Sequence, residues 1–82
     1  MLFRRDRRRC RNVEGGRDVL DVAAYVDRRG PAVALRLNEA YPPLVLTPNQ
    51  VGWLRGQLRD QLLDAVEQAE QAEQAERERQ RA

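Results

Sequence analysis

Arginine dominates the chemistry open to this sequence, and its densest run lies near the N-terminus. Residues 4–11 hold six arginines against one aspartate, a local charge of +5. Guanidinium groups bind phosphate oxygens in a bidentate geometry and stay charged at physiological pH. The sequence therefore predicts a phosphate-binding segment that contacts DNA. The candidate nucleic-acid contacts are Arg4, Arg5, Arg7, Arg8, Arg9 and Arg11.

The rest of the composition argues against catalysis. The chain contains no histidine, serine or lysine, so it has no Ser–His triad, no Schiff-base lysine and no P-loop lysine. Cys10 is the only cysteine, and it has no histidine to act as its base or to complete an ordinary zinc site. We expect a protein that is not an enzyme, uses no cofactor or metal, and takes no small-molecule substrate.

Two other interpretations of the arginine-rich segment stay open. It could be a solubilising tail in an arginine-biased protein. It could also lie along residues 60–76, which carry six carboxylates and no arginine, either within a protomer or across a dimer. Single exposed ion pairs would contribute little to such a contact, whereas a network of them would matter.

Two alternating segments predict a sheet after the basic segment. In residues 18–27 and 32–39, apolar and polar side chains alternate with a period of two, as in half-buried strands. The sequence RRGP at residues 28–31 is typical of a turn, with Gly30 free to take a positive φ angle. Residues 44–46 predict a short third strand. The expected fold is α+β, a three-stranded antiparallel sheet (β-β-β) followed by one long C-terminal helix.

The start of that helix is the most sharply defined boundary in the sequence. Thr47 is a favourable N-cap, Pro48 suits the first helical position, and Gln50 completes a capping box with Thr47. Beyond this point, aliphatic residues recur at helical spacing and form one apolar stripe from Val51 to Ala69. The Glu, Gln and Ala repeat that follows predicts a polar, solvated continuation of the helix.

These patterns divide the chain into three parts. Residues 1–17 form a basic N-terminal arm, residues 18–66 a β-β-β-α domain, and residues 67–82 a polar helical tail. Part of the arm could also add an edge strand to the sheet, an alternative that the sequence leaves open. No segment matches a signal peptide or a membrane span, so we expect a cytoplasmic protein without membrane contact.

The sequence LTPNQ at residues 46–50 follows the hairpin and opens an Ala-, Leu- and Glu-rich helix. This arrangement resembles small hairpin-plus-helix proteins of actinobacterial genomes, plasmids and phages, in which LTPEQ recurs at the start of the last helix. The similarity covers residues 19–70 and leaves out the arginine-rich segment. It implies the fold, and it implies no activity, cofactor or partner.

Several large residues lie outside the predicted core and indicate a contact surface. Trp53 and Leu63 fall outside the apolar stripe of the helix, and Tyr25 and Tyr41 fall outside the apolar face of the hairpin. Trp53 could instead cover the loop of residues 41–43. The aliphatic core is small for a stable monomer, so we expect a homodimer with these four residues at its interface.

Two functions fit this sequence. The leading hypothesis is a small dimeric regulatory protein that contacts DNA through its arginine-rich segment. The alternative is a protein–protein interaction module that uses the long helix or the sheet edge to bind a protein partner. In that alternative, no nucleic acid is bound.

Overall fold

The computed structural model describes residues 2–39 and 41–81. Its elements are, in chain order, strands β1 (Leu2–Arg11), β2 (Arg17–Asp27), β3 (Gly30–Leu37) and β4 (Leu44–Leu46), and helix α1 (Pro48–Arg81). The fold is α+β, with an antiparallel sheet and one long C-terminal helix as predicted. The sheet has four strands rather than the three expected.

The additional strand, β1, is formed by the arginine-rich segment that was expected to be an arm. It pairs antiparallel with β2, from Leu2 opposite Tyr25 to Arg11 opposite Arg17, with an irregularity between Leu2 and Arg5. Strand pairing uses backbone groups alone. A segment of six arginines can therefore form a strand if its side chains reach solvent or counter-ions, which is the edge-strand alternative described above.

The hairpin of β2 and β3 follows the predicted alternation. Leu20 lies opposite Leu37, and Asp27 lies opposite Gly30. Strand β4 pairs with β3 on its other side, so the sheet order β1-β2-β3-β4 is the order of the chain. Gly30 has a φ of +111°, in the region that favours glycine, which explains its position at the turn.

The strand registers divide the side chains between two faces, because residues directly opposite each other share a face and successive residues alternate. The apolar face carries Leu20, Val22, Ala24, Val26, Val33, Leu35, Leu37, Leu44 and Leu46. The arginine face carries Arg5, Arg7, Arg9, Arg11, Arg17 and Arg36, with Val19, Asp21, Ala23, Tyr25, Asp27 and Ala34.

The most buried residues lie on the arginine face. Asp21, Ala23 and Ala34 are only 6%, 6% and 5% exposed, whereas Leu37 and Leu44 of the apolar face are 49% and 64% exposed. Hydrophobicity alone would give the opposite order. Arg5 lies directly opposite Ala23, and long arginine side chains can cover small neighbours with their aliphatic stems while the charged ends reach solvent.

Helix α1 begins at Pro48, as predicted. The side-chain oxygen of Gln50 accepts a hydrogen bond from the Thr47 backbone N–H at 2.9 Å, and Thr47 Oγ1 accepts one from the Gln50 backbone N–H at 3.3 Å. The helix runs for 34 residues, and none of its described residues is buried. No helix in the described part of the chain is both long and apolar enough to span a membrane. Residues 1–51 and 52–82 form two compact units.

Candidate nucleic-acid interface

The arginine face is organised around the buried carboxylate of Asp21. Arg5 donates from Nε to both carboxylate oxygens at 2.9 Å, and its Nη2 also donates to Oδ2. Arg36 Nη2 donates to the same oxygen at 3.2 Å, and Arg7 Nε does so at 3.4 Å. Guanidinium groups from β1 and β3 thus converge on one carboxylate of β2, the strand between them.

This convergence sets the charge state of the cluster. Hydrogen bonds from Arg5 hold the pKa of the Asp21 carboxyl well below its ordinary value; desolvation opposes this shift, and a hydrogen bond from Arg36 adds to it. The same Arg5–Asp21 hydrogen bond raises the pKa of Arg5. Asp21 therefore stays ionised at neutral pH and serves as a counter-ion rather than as a proton donor or acceptor.

A second, exposed ion pair joins β1 to the segment after β3. Arg7 Nη2 donates to Glu39 Oε1 at 2.6 Å, and this hydrogen bond lowers the pKa of Glu39. The Glu39 side chain is 75% exposed, so water screens the pair and its net contribution to stability is small. The main effect of these contacts is to position the Arg7 side chain between Asp21 and Glu39.

Hydrogen bonds of Asn38 and Asn12 fix the end of the sheet that holds the β1–β2 turn. Asn38 has a φ of 59°, which asparagine tolerates better than most residues. Its Oδ1 accepts a hydrogen bond from the Val19 backbone N–H at 2.9 Å, and its Nδ2 donates to Asp18 at 3.1 Å. Asn12 Nδ2 donates to the same carboxylate at 3.3 Å. The β1–β2 turn is thereby tied to the end of β3.

Three arginines of the arginine face lie toward this end of the sheet. The guanidinium groups of Arg9, Arg11 and Arg17 make no ion pair within residues 2–39 and 41–81. Six arginines against the carboxylates of Asp21, Asp27 and Glu39 leave the whole face with three positive charges. Guanidinium groups without a counter-ion are available to bind phosphate oxygens.

The strand splits the six contacts predicted from the sequence. Arg5, Arg7, Arg9 and Arg11 lie on the arginine face, and Arg8 lies on the apolar face. The side chain of Arg4 lies outside the described residues. Because β1 is paired along its length, the segment is not a free arm that could enter a DNA groove. Sequence reasoning missed Arg36 and Arg17, which β3 and the β1–β2 hairpin bring onto the arginine face.

The four predicted interface residues are dispersed. Trp53 and Leu63 are 65% and 61% exposed on the helix, and Tyr41 is 61% exposed. Tyr25 is half-buried on the arginine face, whereas Tyr41 lines an apolar hollow with Leu20 and other residues of the apolar face. The two tyrosines therefore lie on opposite sides of the sheet, and one flat interface would not contain both. Their role in a dimer stays a prediction.

Comparisons with family models, curated proteins and solved structures find no match to this chain. Within the described residues, no three His, Cys, Asp or Glu side chains come together as metal ligands would. The interpretation of the arginine face therefore depends on its own residues and their geometry.

Proposed function

We propose that this protein is a small, non-enzymatic regulatory protein that contacts DNA through the arginine face of its sheet. The observation that supports the proposal is the excess of three positive charges on this one face. A surface of this kind attracts a polyanion and gains affinity when condensed counter-ions leave the phosphates. It supplies contacts that position a protein on DNA without reading its sequence.

The arginines of this face differ in their readiness to bind. Arg5 and Arg36 share the carboxylate of Asp21, so a phosphate would have to compete with a partly buried ion pair. Arg9, Arg11 and Arg17 have no such competitor among the described residues. Because alternate residues of a strand are about 6.8 Å apart, Arg9 and Arg11 present separate charges along β1. These three are the principal phosphate contacts.

The composition supports a binding role over a catalytic one. The groups joined by ion pairs on this face are arginines, Asp21 and Glu39. Arginine stays protonated at physiological pH, and the Asp21 carboxylate is occupied by its guanidinium partners. General acid–base catalysis needs a group whose pKa lies near the working pH, and this cluster lacks one.

A protein–protein interaction module is the second candidate, and the helix favours it. Leu58 and Leu62 are 64% and 65% exposed, and exposed apolar side chains in a row mark contact surfaces. This candidate requires no phosphate binding. The two functions are therefore separated by measuring DNA binding directly.

The experiment compares single substitutions at adjacent positions of β1. Arg9→Gln removes a guanidinium from the arginine face, and Arg8→Gln removes one from the opposite face with the same change in net charge. Binding of the full chain to unrelated duplex DNA is measured at salt concentrations of ~50–200 mM, a range over which counter-ion release changes the affinity strongly. We expect Arg9→Gln to make the negative slope of log K against log salt less steep by about 0.9, and Arg8→Gln to leave it unchanged.

Two outcomes would overturn the proposal. One is no binding by the intact protein at low salt. The other is an equal loss in both variants, which would show that net charge matters and the face does not. Point substitutions are preferable to removal of residues 1–11, because that truncation would delete the whole of β1.

A further inference from the structure

We infer that helix α1 pairs antiparallel with helix α1 of a second copy of this chain. The pairing surface is the apolar stripe, of which Leu58, Leu62 and Val66 are 64%, 65% and 48% exposed. Aliphatic residues spaced by four form the ridges with which helices pack against each other. An exposed apolar stripe does not by itself identify its binding partner. The charged residues beside it indicate that the partner is a second copy of this chain and that the two helices run in opposite directions.

Two shallow hollows of unlike charge lie on one side of the helix. Gly52, Arg55, Gly56 and Arg59 line the first, and Glu70, Glu73, Gln74, Arg77, Glu78 and Arg81 line the second. Arg55 and Glu73 are separated by about five turns of an α-helix, so they lie on the same side. This side, called the charged flank, borders the apolar stripe. It is basic toward the start of the helix and acidic at Glu70 and Glu73.

Antiparallel pairing brings the opposite charges together. With the two-fold axis near Asp64, the charged flanks of the two helices face each other. Arg55 is then level with Glu73 of the partner subunit, and Arg59 with Glu70 of the partner subunit. Symmetry doubles these contacts to four. In a parallel pair, the charged flank would face the other side of the stripe, where Asp64 lies among the neutral side chains of Gln57, Gln61 and Gln68, so fewer opposite charges would meet.

Side-chain size favours the same direction. The first half of the stripe carries Leu54, Leu58 and Leu62, and the second half carries the smaller Ala65, Val66 and Ala69. Antiparallel pairing sets the leucines of one helix against these smaller residues of the other, so the distance between the axes varies little along the contact. Parallel pairing would set leucine on leucine at one end and the smaller residues on each other at the other end, and the helices would diverge.

The existing ion pairs of the helix do not oppose this arrangement. Glu73 accepts a hydrogen bond from Arg77 Nη2 at 2.8 Å, and both side chains are more than 60% exposed. Arg59 lies 3.7 Å from Asp60, in a pair that is also exposed. Exposed pairs of this kind contribute little, so the carboxylates and guanidiniums can change partners at small cost.

Charge reversal in the full chain tests the proposal. Arg55→Glu with Arg59→Glu replaces four attractive contacts with four repulsive ones, and we expect the dimer dissociation constant to rise at least about tenfold. Adding Glu70→Arg and Glu73→Arg to the same chain should restore it. The control is Arg28→Glu with Arg29→Glu in the β2–β3 turn, which makes the same change in net charge away from the helix. Sedimentation equilibrium gives the constants, and circular dichroism checks that each variant remains helical.

Spin labels determine the direction independently of affinity. In a chain with Cys10→Ser, a single label is introduced with Gln57→Cys, so both subunits of every dimer carry it at the same position. Parallel helices bring the two labels level, with helix axes about 8–10 Å apart. Antiparallel helices with the two-fold axis near Asp64 offset them by about 21 Å along the axis.

The proposal is overturned by any of three results. These are a monomer at high micromolar concentration, a double charge reversal that fails to restore the dimer, or label distances that fit parallel helices. All of these measurements are made without DNA, so they stand or fall separately from the role of the arginine face.

Discussion

Asp21 is the residue around which the side chains of the arginine face are arranged. It is the buried carboxylate among guanidinium groups of β1 and β3, and it joins those two strands through side chains. Removing one partner from such a group leaves the remaining charges close together without compensation. The residue therefore stabilises the attachment of β1 as well as the position of the arginines.

Asp21→Asn keeps the shape of this side chain and removes its charge. We expect the midpoint of thermal unfolding to fall by about 5 °C or more, because Arg5, Arg7 and Arg36 then repel each other. Asp60→Asn, at an exposed and weakly paired site on the helix, is the matched control and should change the midpoint little. Equal midpoints for wild type and Asp21→Asn would contradict the counter-ion role.

The same carboxylate gives stability a defined pH dependence. Its pKa is lower in the folded protein than the unfolded value of about 3.9. Its stabilising contribution is therefore fully present above pH ~4 and is lost as the pH falls toward the folded pKa. Denaturant titrations of wild type and Asp21→Asn should give stabilities that differ at pH 7 and converge progressively below pH ~4. A difference that stayed constant down to the lowest pH would argue against this linkage.

The sequence does not reveal this residue by its local pattern. Asp21 occupies a polar position in the alternation of residues 18–27, where a solvent-facing carboxylate is the ordinary expectation. Its partners lie 14 to 16 positions away along the chain, on two other strands. One sequence feature does indicate Asp21. It lies two positions from the small residue Ala23, in a strand whose neighbours across the sheet carry arginine.

At the scale of elements, the local rules succeed where short-range contacts decide. Thr47, Pro48 and Gln50 form the predicted cap because all its hydrogen bonds join residues three apart. Strands β2 and β3 were predicted because their alternation of apolar residues repeats every two positions. The same rule predicts an arm in place of strand β1, because charged residues fall on both of its faces and the counter-ions Asp21 and Glu39 lie at least 14 positions away along the chain.

The capping box offers a direct test at this scale. Thr47→Ala removes the side-chain oxygen that accepts the Gln50 N–H bond, and we expect a loss of about 1 kcal/mol in helix stability. Thr47→Ser retains the hydroxyl and should lose much less. Helix content followed by circular dichroism during urea titration makes the comparison. An alanine variant as helical as the serine variant would show that the cap contributes nothing.

At the scale of the whole molecule, the two compact units differ in the burial of their side chains. The sheet unit includes the buried residues Asp21, Ala23 and Ala34, whereas no described helix residue is buried. A helix without burial is held by its backbone hydrogen bonds and by exposed side-chain pairs, and these alone are marginal in water. We therefore expect its stability to depend on association to a greater degree than that of the sheet.

Hydrogen exchange measured at several protein concentrations tests this difference. We expect the protection of amides in residues 54–70 to rise with concentration, since pairing of α1 orders them, while the protection of β2 and β3 stays constant. In the chain with Arg55→Glu and Arg59→Glu, the concentration dependence should disappear. Helix protection that is already maximal at low micromolar concentration would contradict the expectation.

The edge position of β1 has a consequence for solubility. Among the described strands, β1 has a neighbour on one side only, and such open edges invite sheet-to-sheet aggregation unless charged side chains guard them. Here the guards are arginines on both faces, and a guanidinium does not lose its proton until far into the alkaline range. Protection against aggregation therefore persists at alkaline pH, where lysine guards would fail. It is removed when a polyanion neutralises the edge.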